Sequence, residues 1–230
     1  MTIDWALLVQ NWPRLWNGFL VTILLSVIVL AISTPVALLL ALARGARAWW
    51  LAWPAAIYVN LLRALPALVI LYFTFYALPQ FNMPLPPLWA AVLGLTLASA
   101  AYLAEDIRAG LVAVGTGQWQ AAKALGLSAP RTVLRIILPQ AIPVILPPYV
   151  TRAIIIVKGT SLASIVAVSE LTGEAFALTS ITYRPFDFLL AAAALYLLLT
   201  GLLAGLQALA EGWLARRTSR PRVVAGALGA

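Results

Sequence analysis

The sequence predicts an all-α membrane protein of about five transmembrane helices in a single 230-residue transmembrane domain. Three observations carry that expectation. The chain is 63% hydrophobic and only 10% charged, against about 25% charged residues in a typical soluble domain. Runs such as 19–42 and 188–209 are uncharged and, but for Gln207, apolar or small, as suits a helix that satisfies its own backbone in lipid. Strand-like alternation of the outer-membrane kind is missing, which argues against a β-barrel.

The first span is predicted over 15–43, closed by Arg44 and Arg47. Its apolar run of about 24 residues exceeds the ~7–15-residue core of a signal peptide. Asp4 and Arg14 precede it in place of a basic cluster, so it is expected to remain as a span rather than be cleaved at Ala41-Leu42-Ala43. Residues 49–78 follow, and a single helix of that length would reach about 45 Å, more than a hydrocarbon core of about 30 Å. A break is expected at Pro66, dividing an interfacial segment over 49–64 from a spanning part over 65–78. Trp49, Trp50 and Trp53 in the first part read as interface anchors.

Residues 79–87 form an uncharged, proline-rich turn, and the third span is expected over 88–107. A polar, basic island over 108–141 comes next. The fourth span, 142–168, is expected to begin irregularly at Pro143, Pro147 and Pro148, and to be interrupted at Lys158-Gly159-Thr160-Ser161. A polar loop is expected over 170–187, and the fifth span over 188–209. No internal repeat or low-complexity tract is evident.

Five spans put the termini on opposite sides. Arg44, Arg47, Arg108, Lys123, Arg131, Arg135, Arg216, Arg217, Arg220 and Arg222 fall on one side; Arg14 and Arg184 share the other with Asp4, Glu170, Glu174 and Asp187. The positive-inside rule makes the first side cytoplasmic, so the N-terminus is expected outside and the C-terminus in the cytoplasm. The net charge of +8 is spread through membrane-flanking loops, and nucleic acid is not expected as a partner.

The chain has neither cysteine nor histidine, which removes disulfides, thiol nucleophiles, imidazole bases and most zinc sites. No phosphate-binding G-x-x-x-x-G-K-[ST] loop is present. The chain is therefore expected to be no enzyme by itself and to carry no cofactor.

Within the island, residues 119–125 offer helix-forming Ala, Lys and Leu, and Gly126 supplies a stop that tolerates the left-handed conformation. Small Ala121 and Ala122 would allow a partner to approach closely. On residue types alone a solvated loop and a docking helix both stand. The pattern Gln120-Ala121-Ala122, Gly126, Ile137-Leu138-Pro139 resembles the "EAA" loop of ABC importer permeases, whose short cytoplasmic helix fits a cleft on the ATPase subunit. Arg63-Ala64-Leu65-Pro66 resembles the family's RGTP segment, 101–108 (AYLAEDIR) its AYLAE..R segment, and 158–162 (KGTSL) its KxTSL segment, with Tyr183-Arg184-Pro185-Phe186 a further match. In this order, over roughly Gly18 to Trp213, the set resembles permeases of polar amino acid ABC importers, the inner-membrane components of binding-protein-dependent transport systems. Gln120 in place of Glu and Ala64-Leu65 in place of Gly-Thr are the departures.

The resemblance implies a type I ABC importer transmembrane fold in the bacterial inner membrane. It implies an ATPase-coupling loop using Gln120, Ala121, Ala122, Lys123, Leu125, Gly126, Leu127, Leu138 and Pro139. It also implies three partners besides the lipid bilayer: a second permease subunit, same or sister chain; a cytoplasmic ATPase dimer that binds ATP and Mg; and an extracytoplasmic amino-acid-binding protein. Opines or other small nitrogenous solutes are the alternative cargo. A self-contained secondary transporter or channel is the alternative of a different class, disfavoured by the lack of an inverted repeat.

Polar and ionisable residues at membrane depth mark the solute-path candidates: Lys158, Thr160, Ser161, Glu105 and Arg63. Lys158, Thr160 and Ser161 flank Gly159, so a helix break and a solute contact both stand there. Glu105 and Arg108 have the spacing of a same-face ion pair, and Arg63 has the reach to snorkel to the interface. Glu170 and Glu174 read as a solvated loop face, with contact to a binding protein as the other option.

Overall fold

A computed structural model describes residues 3–218. Arg220 and Arg222, used in the orientation argument, lie outside the described residues. Those residues are helical without strands. They include α1 (Trp5–Arg44), α2 (Trp49–Ala64), α3 (Ala67–Tyr72), α4 (Pro87–Ala113), α5 (Thr116–Ala124), α6 (Ala129–Thr132), α7 (Leu138–Gly159), α8 (Leu171–Thr182) and α9 (Pro185–Thr218). Four helical stretches are long and apolar enough to cross a membrane, and α2 with the α3 segment makes a fifth if the bent pair counts as one span.

α4 is the hub. Its buried positions are dominated by small residues, among them Ala90, Ala91, Gly94, Ala98, Ala101 and Ala104, which lets neighbouring backbones come close where lipid supplies no hydrophobic drive between helices. Gly110 shows the limit of that fit: a Cβ there would stand 2.2 Å from Ile145 Cγ1 of α7. α1 lies along α4 with the buried series Leu15, Gly18, Phe19, Thr22, Leu25, Ser26, Val29, Ser33, Ala37 and Ala41, one face at helical spacing. It is longer than the predicted 15–43 because Asp4 accepts a hydrogen bond from Leu7 N (3.1 Å) and caps a helix that starts at Trp5.

The break at Pro66 is present. Leu65 and Pro66 are extended, and the helices on either side bend by 105°. The residue before a proline disfavours the α region, and proline removes the donor that a continuous helix would need. α2 ends beside Tyr102, whose hydroxyl donates to Arg63 O (3.1 Å). α3 then turns back along α4: Leu71 packs against Gly94, and Thr74 Oγ1 donates to Ala90 O (2.9 Å). From Phe73 the chain continues as a π turn and then a 3₁₀ turn to Phe81, so the second spanning part reaches beyond the predicted residue 78.

Three expectations are corrected. The fourth span does not begin irregularly at its prolines: Pro143, Pro147 and Pro148 all lie inside the continuous α7, and the irregularity is the π turn Val133–Ile137 just before it. α4 runs on to Ala113, α5 follows at Thr116–Ala124 and helix resumes at Ala129, so the predicted loop 108–141 is mostly helical. Residues 170–187 are not a loop, because α8 occupies Leu171–Thr182 with Leu171, Ala175 and Leu178 buried at positions i, i+4 and i+7. The polar side chains there suggested a loop; the buried stripe was the competing signal.

Candidate coupling and solute-path sites

The predicted docking helix is α5. Gly126 takes φ +71, Gly126 N donates to Lys123 O (3.0 Å), and Leu127 N donates to Ala122 O (3.1 Å). These paired bonds satisfy the last carbonyls of the helix, and a glycine carries the left-handed residue without strain. Gln120, Ala121, Lys123 and Leu125 are exposed, Leu125 at 76%, while Leu127 is half-buried. Ala122 differs from its neighbours: it is 0% exposed, because α5 packs on the π turn that leads into α7. Its small size serves the chain's own packing, not a face open to a partner. Leu138 is half-buried and Pro139 exposed at the start of α7, and the amides of Gln118 and Gln140 join α5 to α7 at 3.4 Å.

Glu105 collects cations. Arg108, one turn further along α4, gives it two hydrogen bonds (3.1 and 3.2 Å). Arg44 at the end of α1 pairs with Glu105 Oε1, and Arg63 at the end of α2 approaches Oε2 at 3.7 Å. The predicted Glu105–Arg108 pair is therefore part of a larger group that ties three helices together. Beside it, Asp106 pairs with Arg152 of α7 (3.1 Å), whose guanidinium lies 4.7 Å from the centre of the Tyr102 ring. The Arg63 guanidinium stands 5.6 Å from the same ring. Sequence reasoning missed Asp106 and Arg152. Adjacent residues on a helix point about 100° apart, so Asp106 was free to meet another helix, but its partner 46 positions away left no local pattern.

Lys158, Thr160 and Ser161 do not share one environment. Lys158 is exposed on α7 and Ser161 half-buried, while Thr160 is fully buried. No open break exists at Gly159: the helix tightens into a 3₁₀ turn, Thr160–Val166. Thr160 Oγ1 and Ser161 Oγ donate to Val157 O and Lys158 O, each at 2.7 Å. Such local bonds are the usual alternative for hydroxyls within helices.

The expectation of a solvated Glu170 is overturned, since its side chain is 0% exposed. It caps α8 by accepting from Thr172 N and Gly173 N, both at 2.9 Å. It also accepts from Tyr196 Oη of α9 (2.8 Å) and Thr22 Oγ1 of α1 (3.3 Å). Desolvation raises its carboxyl above the ordinary pKa, and the four hydrogen bonds oppose that rise. Glu174, one turn on, pairs with Arg14 at 2.9 Å. A sequence cannot show which distant hydroxyls will meet a glutamate, and this site left only Ser169-Glu170 ahead of an apolar repeat as its trace.

The comparisons with known proteins agree with this architecture. The octopine transport system permease protein OccM of Rhizobium radiobacter is 40% identical over 231 residues, covering 96% of this chain and 94% of that one. The L-cystine transport system permease protein TcyB of Bacillus subtilis is 40% identical over 75% of this chain and 74% of its own length. A solved amino acid ABC transporter crystallised with histidines has a chain that superposes with a TM-score of 0.84 at 33% identity, over 93% of this chain and 100% of that one. The MetNI methionine ABC transporter, at 20% identity and a TM-score of 0.72, shares the fold. The sequence profile of one family matches residues 33–219. The apolar helices, the hub at α4 and this match place the chain in the binding-protein-dependent transport system inner membrane component family, as a multi-pass permease subunit.

Proposed function

We propose that the chain forms half of the translocation path of an ATP-driven importer for a small zwitterionic solute, an amino acid or an amino-acid-derived opine. Similarity to octopine and cystine permeases over most of the chain supports this cargo class. The observation that carries it furthest in the structure is the meeting of Asp106, Arg152 and Tyr102 between α4 and α7. A carboxylate, a guanidinium and a ring face offer complements to an ammonium and a carboxylate, and both ionic side chains remain about one-fifth exposed. Exposed Lys158 stands on the same helix. Family membership removes the reading of a self-contained carrier.

A separate ATPase dimer would bind ATP and Mg and dock on Gln120, Ala121, Lys123, Leu125 and Gly126, with Pro139 at the rim. A second permease, same or sister chain, would complete the path, and an extracytoplasmic binding protein would deliver the solute. The arginine distribution supports an N-out, C-in orientation.

Uptake by the reconstituted complex tests the cargo. Asp106→Asn and Arg152→Gln should each lower uptake at least tenfold while the complex still assembles; full uptake by both would remove this pair from the path. Single cysteines at Asn82 and Thr116 test the orientation. An impermeant thiol reagent should label the first from outside and the second only from inside.

A further inference from the structure

We propose that the basic group at the ends of α1, α2 and α4 is a binding site for the phosphate of an anionic phospholipid in the surrounding bilayer. The inference rests on reading this end of the bundle as a membrane interface. Arg44, Arg63 and Arg108 converge on one carboxylate, Glu105. Within that contact group the cations exceed the anion by two, and the other nearby acid, Asp106, is held by Arg152. The surplus is accessible, with the Arg63 and Arg108 side chains 39% and 37% exposed. A group of like charges this close is favourable only with a counter-anion at hand, and a lipid phosphate accepts several guanidinium hydrogen bonds at once.

Two further features favour a lipid over a free anion. A cavity of about 260 Å³ lies beside Arg108, walled by Ala41, Leu42, Leu111, Val112 and Trp119. Inorganic phosphate or a solute carboxylate has no use for such walls, whereas the glycerol and first methylenes of a lipid do. α2, which delivers Arg63, also exposes Trp49, Trp50 and Trp53, the residue type that settles at headgroup level. Basic pockets between helix ends are an arrangement expected for anionic headgroups, and Trp119 lines this one.

The test uses the assembled transport complex in nanodiscs of phosphatidylcholine doped with spin-labelled phosphatidylglycerol, and reads the selectivity for that lipid over spin-labelled phosphatidylcholine. Arg63→Gln and Arg108→Gln should each reduce the selectivity about fivefold, while Arg131→Gln, on the exposed segment after α5, should leave it unchanged. Should Arg108→Gln fail to assemble, the more exposed Arg63→Gln decides alone. Selectivity unaltered by Arg63→Gln overturns the proposal. So does an equal loss with Arg131→Gln, which would mean a diffuse field, or displacement of the labelled lipid by millimolar inorganic phosphate or amino acid. Because the readout is lipid association, it stands or falls separately from solute uptake.

Discussion

Glu105 and Glu170 are both carboxylates inside a helical membrane protein, and their surroundings are opposite. Glu170 is sealed from solvent and held by uncharged donors: two backbone amides, a tyrosine and a threonine. Glu105 is half-buried, held by guanidiniums alone, and outnumbered by them. Neutral donors satisfy a buried charge without adding another, so the Glu170 site closes on itself and fastens α8 to α1 and α9. Charged donors over-satisfy theirs, so the Glu105 site stays open to a further anion. The contrast separates a lock from a receptor for charge.

The largest effect should come from opening the lock. Glu170→Ala orphans buried donors on three elements and should cost at least about 3 kcal/mol, read as a lower melting temperature of the detergent-purified protein. Tyr196→Phe removes one of those bonds and should cost roughly 1–2 kcal/mol in the same assay. Equal losses from the two substitutions would break the picture of a shared cradle. Gly110→Val tests the close approach of α4 to α7, where overpacking should cost about 1–3 kcal/mol. Adding Ile145→Ala, which removes the atom nearest the new Cβ, should recover part of that loss.

On the open side the effects should be smaller in stability and larger in transport. Leu125→Ala removes an exposed side chain of α5 and should leave the melting temperature unchanged while lowering solute-stimulated ATP hydrolysis by the complex. Ala122→Leu, by contrast, should destabilise the protein itself, because Ala122 is enclosed by its own chain. Gly126→Ala, at φ +71, should cost roughly 1 kcal/mol through strain. The smallest change is expected for Ser161→Ala, which loses a single bond to Lys158 O.

The same contrast explains what the sequence could show. Span order, the break at Pro66 and the stop at Gly126 were legible because each depends on local chemistry: apolar run length, a missing amide donor, a residue free of Cβ strain. The Glu105–Arg108 pair was legible for the same reason, being three residues apart on one helix. Arg44 and Arg63 were visible only as charges, and Arg152 was missed, since their partners come from other helices. Glu170 was misread because a glutamate among threonines looks solvated until Thr22 and Tyr196 are brought to it from 148 and 26 positions away. The prolines of α7 misled in the other direction, as tertiary packing kept helical a segment that local preference would interrupt.

α1 has a length out of proportion to its task. Its 40 residues amount to about 60 Å of helix, roughly twice the hydrocarbon thickness it must cross. The exposed rings of Trp5, Trp12 and Trp16 follow one another along its first turns, a ladder of anchors rather than a single belt. Such a helix meets a bilayer of changing thickness by tilting, and each rung offers a different depth at which to settle. Because α1 lies along α4 and ends at Arg44, the helix that carries this ladder of anchors also carries one of the three arginines gathered around Glu105.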